Sequence, residues 1–213
     1  LRKSGVPYRV YGGLSFYERK EVKDAIAYFR MTVNPNDDEA FRRVVNYPAR
    51  GIGNTTLEKL MSVATNNGIS LWETVNTCAA KELGVSATTY GRISKFVAMI
   101  NGFAAKAGEL DAYALGNEIL EESGVRTEIV TDTSDLSRKE NLDELINALY
   151  DFVAQETETN GSAENATIEN YLADVALLTD ADKNDADKEK VSLMTIHSAK
   201  GLEFSAVCIV GLE

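Results

Sequence analysis

The sequence predicts a mainly α protein, a helical block set between one short strand near its start and two near its end. Three observations predict it. Apolar residues recur at helical spacing over most of residues 15–178. Helix caps and stops punctuate that stretch at regular intervals. The pattern then changes, and "VSLMTI" (191–196) and "AVCIV" (206–210) read as short, buried, parallel strands. With "YRVY" (8–11) they form too little sheet to stand alone, so they read as the remnant of an α/β domain.

The elements follow in order. "YRVY" is aromatic and β-branched and is closed by Gly12-Gly13. Ser15-Phe-Tyr-Glu18 has the form of a capping box. The helix it opens carries Val22, Ile26, Phe29 and Val33 on one face and stops at Asn34-Pro35. Its charged residues Arg19, Lys20, Glu21, Lys23 and Asp24 read as surface pairs at helical spacing. Asn36-Asp37-Asp38-Glu39 supplies a cap and acids for a second helix through about Val45. A third runs from near Thr55-Thr56 and ends at Asn67-Gly68. Ser70-x-x-Glu73 caps a fourth, which carries Trp72, and longer patterns cover 87–107 and 112–122, the latter closed by Ser123-Gly124. Trp72 and Tyr90 read as core. Ser137-x-x-Glu140 opens a long helix with Leu142, Leu145, Ile146, Leu149 and Phe152 inside. "TETNGSAEN" (157–165) reads as a loop, Thr167 opens a last helix to Leu178, and "DADKNDADKEK" (180–190) reads as a solvated linker.

At 213 residues the chain can bury a real core, and its net charge of −11 argues against a surface coated for nucleic acid. The charge is uneven. Residues 156–190 hold ten acids against three lysines, whereas residues 40–60 set Arg42, Arg43, Arg50 and Lys59 against Glu58 alone. Cys78 and Cys208 lie far apart in apolar contexts and read as buried thiols of a reducing compartment. With one histidine, a zinc site is not expected. No stretch reads as a signal peptide or reaches membrane-spanning length, so a cytoplasmic protein with no membrane partner is expected. Without an initiator Met, and stopping on an apolar strand, the chain reads as a piece of something larger.

Two stretches carry chemistry. In "YPARGIGNTTLEKL" (47–60), Gly51 and Gly53 can turn their amides outward while Ile52 pins the turn. The next helix adds free N-terminal amides near Thr55 and Thr56, and Arg50 and Lys59 add full charges. Together these make a sequence-neutral clamp for a phosphate backbone. The plain alternative is a glycine-rich turn between packed helices. In "MTIHSAKGLEF" (194–204), Lys200 beside Gly201 can present an ammonium to a phosphate, and Glu203 can accept from a ribose hydroxyl. Thr195, His197 and Ser198 can meet phosphate oxygens or a base. Spacing alone equally allows a strand–turn–strand whose charges are merely solvated. No P-loop occurs in the chain, so it is not expected to hydrolyse a nucleotide unaided.

"LMTIHSAKGLEF…VCIVGLE" resembles motif V of superfamily 1A DNA helicases, the UvrD/PcrA/Rep family. "PYRVYGGLSFYERKEVKDAIAYFRMTVNPNDDEAFRRVVNYPARGIGNTT" is similar to the stretch of those enzymes that leaves subdomain 2A and enters subdomain 2B. The two stretches cover roughly the first 56 and the last 23 residues. The resemblance implies a helical 2B subdomain over 14–187, flanked by RecA-like 2A pieces at 1–13 and 188–213, with Gly12 and Gly13 at the hinge. It implies a 3′-to-5′ DNA helicase or translocase of repair or replication as the parent, driven by ATP and Mg2+. Lys200, Gly201 and Glu203 would then serve ATP, and Thr195, His197 and Ser198 single-stranded DNA. Arg50, Gly51, Ile52, Gly53, Thr55, Thr56 and Lys59 would meet duplex DNA at a junction. Walker A and B, the adenine-stacking aromatic and the motif VI arginine have no counterpart, so this stretch alone is expected to be inactive. The expected partners are junction DNA and repair or replication proteins, in the bacterial nucleoid. Two other readings stay open: a protein-interaction or autoinhibitory module, and a helical DNA-binding part of a recombination helicase–nuclease.

Overall fold

The structure is a computed structural model that describes residues 6, 8–11, 16–132, 135–184, 191–194, 196 and 199–210. The order is β1 (Tyr8–Tyr11), α1 (Lys20–Val33), α2 (Asp38–Val44), α3 (Asn54–Asn67), α4 (Leu71–Thr77), α5 (Ala87–Lys106), α6 (Ala112–Glu122), α7 (Val125–Thr131), α8 (Leu136–Asn160), α9 (Ile168–Asn184) and β2 (Val191–Met194). The protein is mainly α, as its periodicity predicts. β1 and β2 pair in parallel, Tyr8 opposite Val191 and Tyr11 opposite Met194, so the two ends of the helical block run side by side. No helix among the described residues is long and apolar enough to cross a membrane.

α1 is the axis of the helical block and packs against α2, α5, α6, α8 and α9. Its helix buries more than one stripe: Val22, Ala25, Tyr28, Phe29 and Met31 are all fully enclosed. Phe41 of α2 meets Phe96 of α5 edge-to-face at 5.6 Å, and Leu145 and Leu149 of α8 close the opposite side. Gly116 lets α6 approach α8, since a Cβ there would lie 2.6 Å from Leu149 Cδ1.

Several caps act where local sequence places them. Asp37 accepts from the Ala40 amide, and Gly68 stops α3 in the left-handed region at φ 65°. Ser70 and Glu73 form the full reciprocal box. Thr167 accepts from the Asn170 amide at 3.2 Å.

Other expectations are corrected. A 3-10 turn fills 16–18, α1 begins only at Lys20, and Glu18 pairs with Lys23 at 2.6 Å; Ser15, the other half of the expected box, lies outside the described residues. Asp135, not Ser137, caps α8, because its carboxylate accepts both the Ser137 amide and hydroxyl. α8 continues into the expected loop as far as Asn160 and is stopped by Gly161, while α9 runs on to Asn184. The short α7 had no periodic signal; Gly124, at φ 84°, ends one helix and starts the next.

On the charged face of α1, Arg19 and Lys20 are exposed as expected, but Glu21 and Asp24 are buried. Glu21 accepts from the Asn141 side-chain amide, Arg19 donates to Asn141, and Asp24 takes Arg43 Nε at 2.7 Å with its carboxylate 5% exposed. Helical spacing cannot show that α8 and α2 bring partners to these groups. Finally, residues 206–210 form no strand, and Ile209 and Val210 are 58% and 86% exposed. Val191 and Leu193 of β2 are also open to solvent, because a two-stranded ladder brings no layer to cover them. Cys78 is half-buried and Cys208 exposed, and both are free.

Candidate nucleic-acid interface

The turn between α2 and α3 is held from inside by polar groups that spacing did not reveal. After the cis Tyr47–Pro48 bond, Asn46 Oδ1 accepts from the backbone amides of both Arg50 and Ile52, each at 2.9 Å. Ile52 is 1% exposed and locks the loop into the core. Gly51 on one side sits at φ +71°, a conformation that favours glycine. Gly53 on the other side is extended at φ −77° and ψ 177°, which any residue can adopt.

α3 starts without a side-chain cap. The amides of Thr56 and Leu57 both reach the Gly53 carbonyl, at 2.9 and 3.1 Å. That leaves the amides of Gly51, Gly53, Asn54 and Thr55 with no acceptor among the described residues, and all four residues are exposed. They sit at the positive end of a fourteen-residue helix. Thr55 is exposed and Thr56 half-buried, and neither hydroxyl bonds to another described residue. A Cβ on Gly53 would meet nothing within 4 Å, so neither backbone nor neighbours demand a glycine there.

The cations are arranged differently from the sequence expectation. Arg50 turns inward: Nη1 donates to the carbonyls of Val44, Tyr47 and Pro48 at 3.1, 2.8 and 3.2 Å, and Nη2 to Ser123 at 2.8 Å. Its guanidinium lies over the rings of Tyr28 and Phe96, at 5.7 and 5.6 Å. The planar fork thus ties the loop to the end of α6 and to α1 and α5. Tyr28 beneath it also donates to the Val44 carbonyl, and burial raises its phenol well above the ordinary range. Lys59 is exposed, with Nζ donating to the Gly84 carbonyl at 2.6 Å.

Arg92 was missed by the sequence reading. It reaches from α5 to the Gly51 carbonyl, Nη1 to O 3.1 Å, and a Cβ on Gly51 would lie 2.9 Å from its Cζ. The one available signal was Arg92 and Lys95 at i, i+3 on a helix whose exposed face is otherwise uncharged between residues 87 and 105.

At the other end of the chain, Leu202 N–H closes a turn on the Ala199 carbonyl at 3.0 Å, with Gly201 at φ +84°. Lys200, Gly201 and Glu203 are exposed on or beside it. Thr195, His197, Ser198, Gly12 and Gly13 lie outside the described residues. No group of His, Cys, Asp or Glu among the described residues is placed to hold a metal ion.

A model of the UvrD-like helicase C-terminal domain matches residues 1–213. The chain belongs to that family. It is 37% identical over 221 residues to the ATP-dependent DNA helicase PcrA of Bacillus subtilis strain 168, covering 100% of this chain and 29% of that protein. It is 35% identical over 219 residues to DNA helicase II of Escherichia coli strain K12, with the same coverages. The PcrA of Staphylococcus epidermidis RP62A is 37% identical over 213 residues, covering 99% of this chain and 28% of that protein. This UvrD-like segment therefore spans less than a third of the length of the relatives it matches.

Proposed function

We propose that this chain is the duplex-contacting part of an ATP-driven 3′-to-5′ DNA helicase, and that the loop at residues 50–53 with the start of α3 grips the phosphate backbone. Gly53 carries the reading. Its dihedrals suit any residue and a Cβ would meet nothing within 4 Å, yet the position forgoes the Ser, Thr, Asp or Asn that would cap α3. A bare backbone at a helix N-terminus, beside three other free amides, suits close approach by a phosphate. Lys59 and the Thr55 and Thr56 hydroxyls would add contacts along α3, and Arg50 would hold the loop in shape. Such a clamp reads no bases.

On this reading residues 14–187 form the 2B subdomain, and 1–13 and 188–213 belong to 2A, with Gly12 and Gly13 as hinge. The parallel pairing of β1 with β2 supports an insertion that leaves and rejoins one sheet. Lys200 would approach the nucleotide phosphates, Gly201 would give the turn its left-handed step, and Glu203 would take the ribose. Thr195, His197 and Ser198 would follow the single strand. ATP with Mg2+ supplies the phosphoanhydride whose hydrolysis drives translocation in the whole protein. In a cell these contacts would be made in the cytoplasm, at the nucleoid.

A second reading, a protein-binding or autoinhibitory surface, draws on one observation. The α8–α9 side exposes Glu158, Glu164 and Glu169 together with Tyr150 and Leu177, a surface that repels DNA. Fluorescence anisotropy of a labelled single-strand/duplex junction, titrated with the chain at several salt concentrations, separates the two. Binding with a steep negative salt slope and indifference to sequence is expected. No measurable binding at low salt would leave the protein-contact reading standing alone.

A further inference from the structure

We infer that Arg92 and Lys95 of α5 supply the cationic wall of the duplex-binding surface, in the role expected of Arg50. The inference rests on the clamp reading above and extends it from α3 to α5.

Four observations converge on it. First, Arg92 is built into the loop. It donates to the Gly51 carbonyl at 3.1 Å, and its guanidinium occupies the space a Gly51 side chain would fill. Gly51 is thus a glycine twice over, once for its φ of +71° and once to admit the arginine. Second, that bond uses one of the five guanidinium N–H groups, and the side chain remains exposed, so most of its donors face solvent. Third, Lys95 stands one turn along the same face, and the two line a shallow groove floored by Phe96, Met99 and Arg50.

Fourth, neither Arg92 nor Lys95 makes an ion pair among the described residues; the same holds for Lys59, Lys81 and Lys139, and what sets Arg92 apart is its place on the Gly51 carbonyl. In a chain of net charge −11, two adjacent unpaired cations beside four unpaired amides form a surface complementary to an anion. Arg50 lies behind that surface and adds to its potential while its own donors stay on carbonyls. The wall and the amides border the same loop, which suits successive phosphates of one strand.

The test is the salt dependence of junction binding by the whole chain, with the double variant Arg92→Gln/Lys95→Gln, with Gly53→Asp, and with Lys139→Gln as a control of equal chemistry on the exposed face of α8. All the substituted side chains are at the surface, and circular dichroism checks the fold. Loss of two phosphate contacts lowers the slope of log K against log salt by about 2, and the affinity at 0.1 M salt on the order of 50-fold. If the double variant binds like Lys139→Gln while Gly53→Asp weakens binding, the assignment fails and the clamp stands. If the unmodified chain binds no duplex, or Gly53→Asp binds as well as it does, the clamp fails and the assignment with it.

Discussion

Replacing Gly53 by aspartate is expected to move stability and DNA binding in opposite directions. The position lies at the N-cap of α3 with φ −77° and ψ 177°, the extended geometry a capping residue uses. A Cβ meets nothing within 4 Å, so the folded chain accepts the side chain without strain. The new carboxylate can take the free amide of Thr55, at N2, and oppose the helix dipole. Against glycine the cap is worth a few tenths of a kcal/mol, and the charge at the dipole about 0.3–1. Together they stabilise the chain by roughly 0.5–1 kcal/mol, a Tm rise of about 1–4 °C for a domain of this size. The same carboxylate excludes a phosphate from the loop. One lost contact lowers the salt slope by about 0.9, close to tenfold at 0.1 M salt. Repulsion between the carboxylate and a phosphate some 5 Å away adds about 1 kcal/mol at a near-aqueous dielectric. Binding should therefore weaken on the order of 50-fold while Tm rises. Calorimetry reads the first arm and anisotropy the second. A variant that is more stable and binds the junction equally well would refute the claim that Gly53 is left bare for a ligand.

Three further outcomes follow from the packing. Arg50→Gln should destabilise the chain by about 3 kcal/mol in urea unfolding, because four carbonyls lose a charged donor and the contacts over Tyr28 and Phe96 go with them; an unchanged midpoint would show that the guanidinium is not what holds the loop. Gly116→Ala should cost about 1–3 kcal/mol, since the added methyl would sit 2.6 Å from Leu149 Cδ1, whereas Gly102→Ala, in open space on α5, should stabilise by up to about 1. Asp24 is the pH-dependent case. Burial raises its pKa, outweighing the attraction of Arg43, so the folded state holds its proton more tightly than the unfolded chain. Its contribution to stability is therefore full below the ordinary carboxylate pKa and falls as pH rises through the raised value. Asp24→Asn should gain Tm relative to the unmodified chain between pH 4 and pH 7, and a gap in Tm that stays flat with pH would contradict this.

The membership of the chain in the UvrD-like family was legible because its carriers are contiguous in sequence: the Gly-Ile-Gly turn and the motif V stretch. Fold class was legible for a related reason. Helical periodicity and caps such as Asp37, Ser70 with Glu73, and Asn67-Gly68 act within a turn or two, so spacing alone carries them. The placing of the α8 cap at Ser137 instead of Asp135 was a local misreading, but the misread charges depended on partners far along the chain. Glu21 and Asp24 look like surface charges until α8 and α2 bring Asn141 and Arg43 to them. Residues 206–210 look like a buried strand, but β-structure needs a neighbour to pair with, and among the described residues only β1 and β2 pair.

The loop divides along the same line. Sequence by itself determined that glycines would bare the backbone at residues 51 and 53, with Ile52 as the anchor, because those are properties of the residues and of their nearest neighbours. Tertiary structure alone decided which arginine faces outward. Arg50 follows the nearest unsatisfied carbonyls into the interior, including one at Ser123, and Arg92 crosses from α5 to take the exposed side of Gly51. A guanidinium goes where its donors find oxygen, and which oxygens lie within reach is set by how the helices pack.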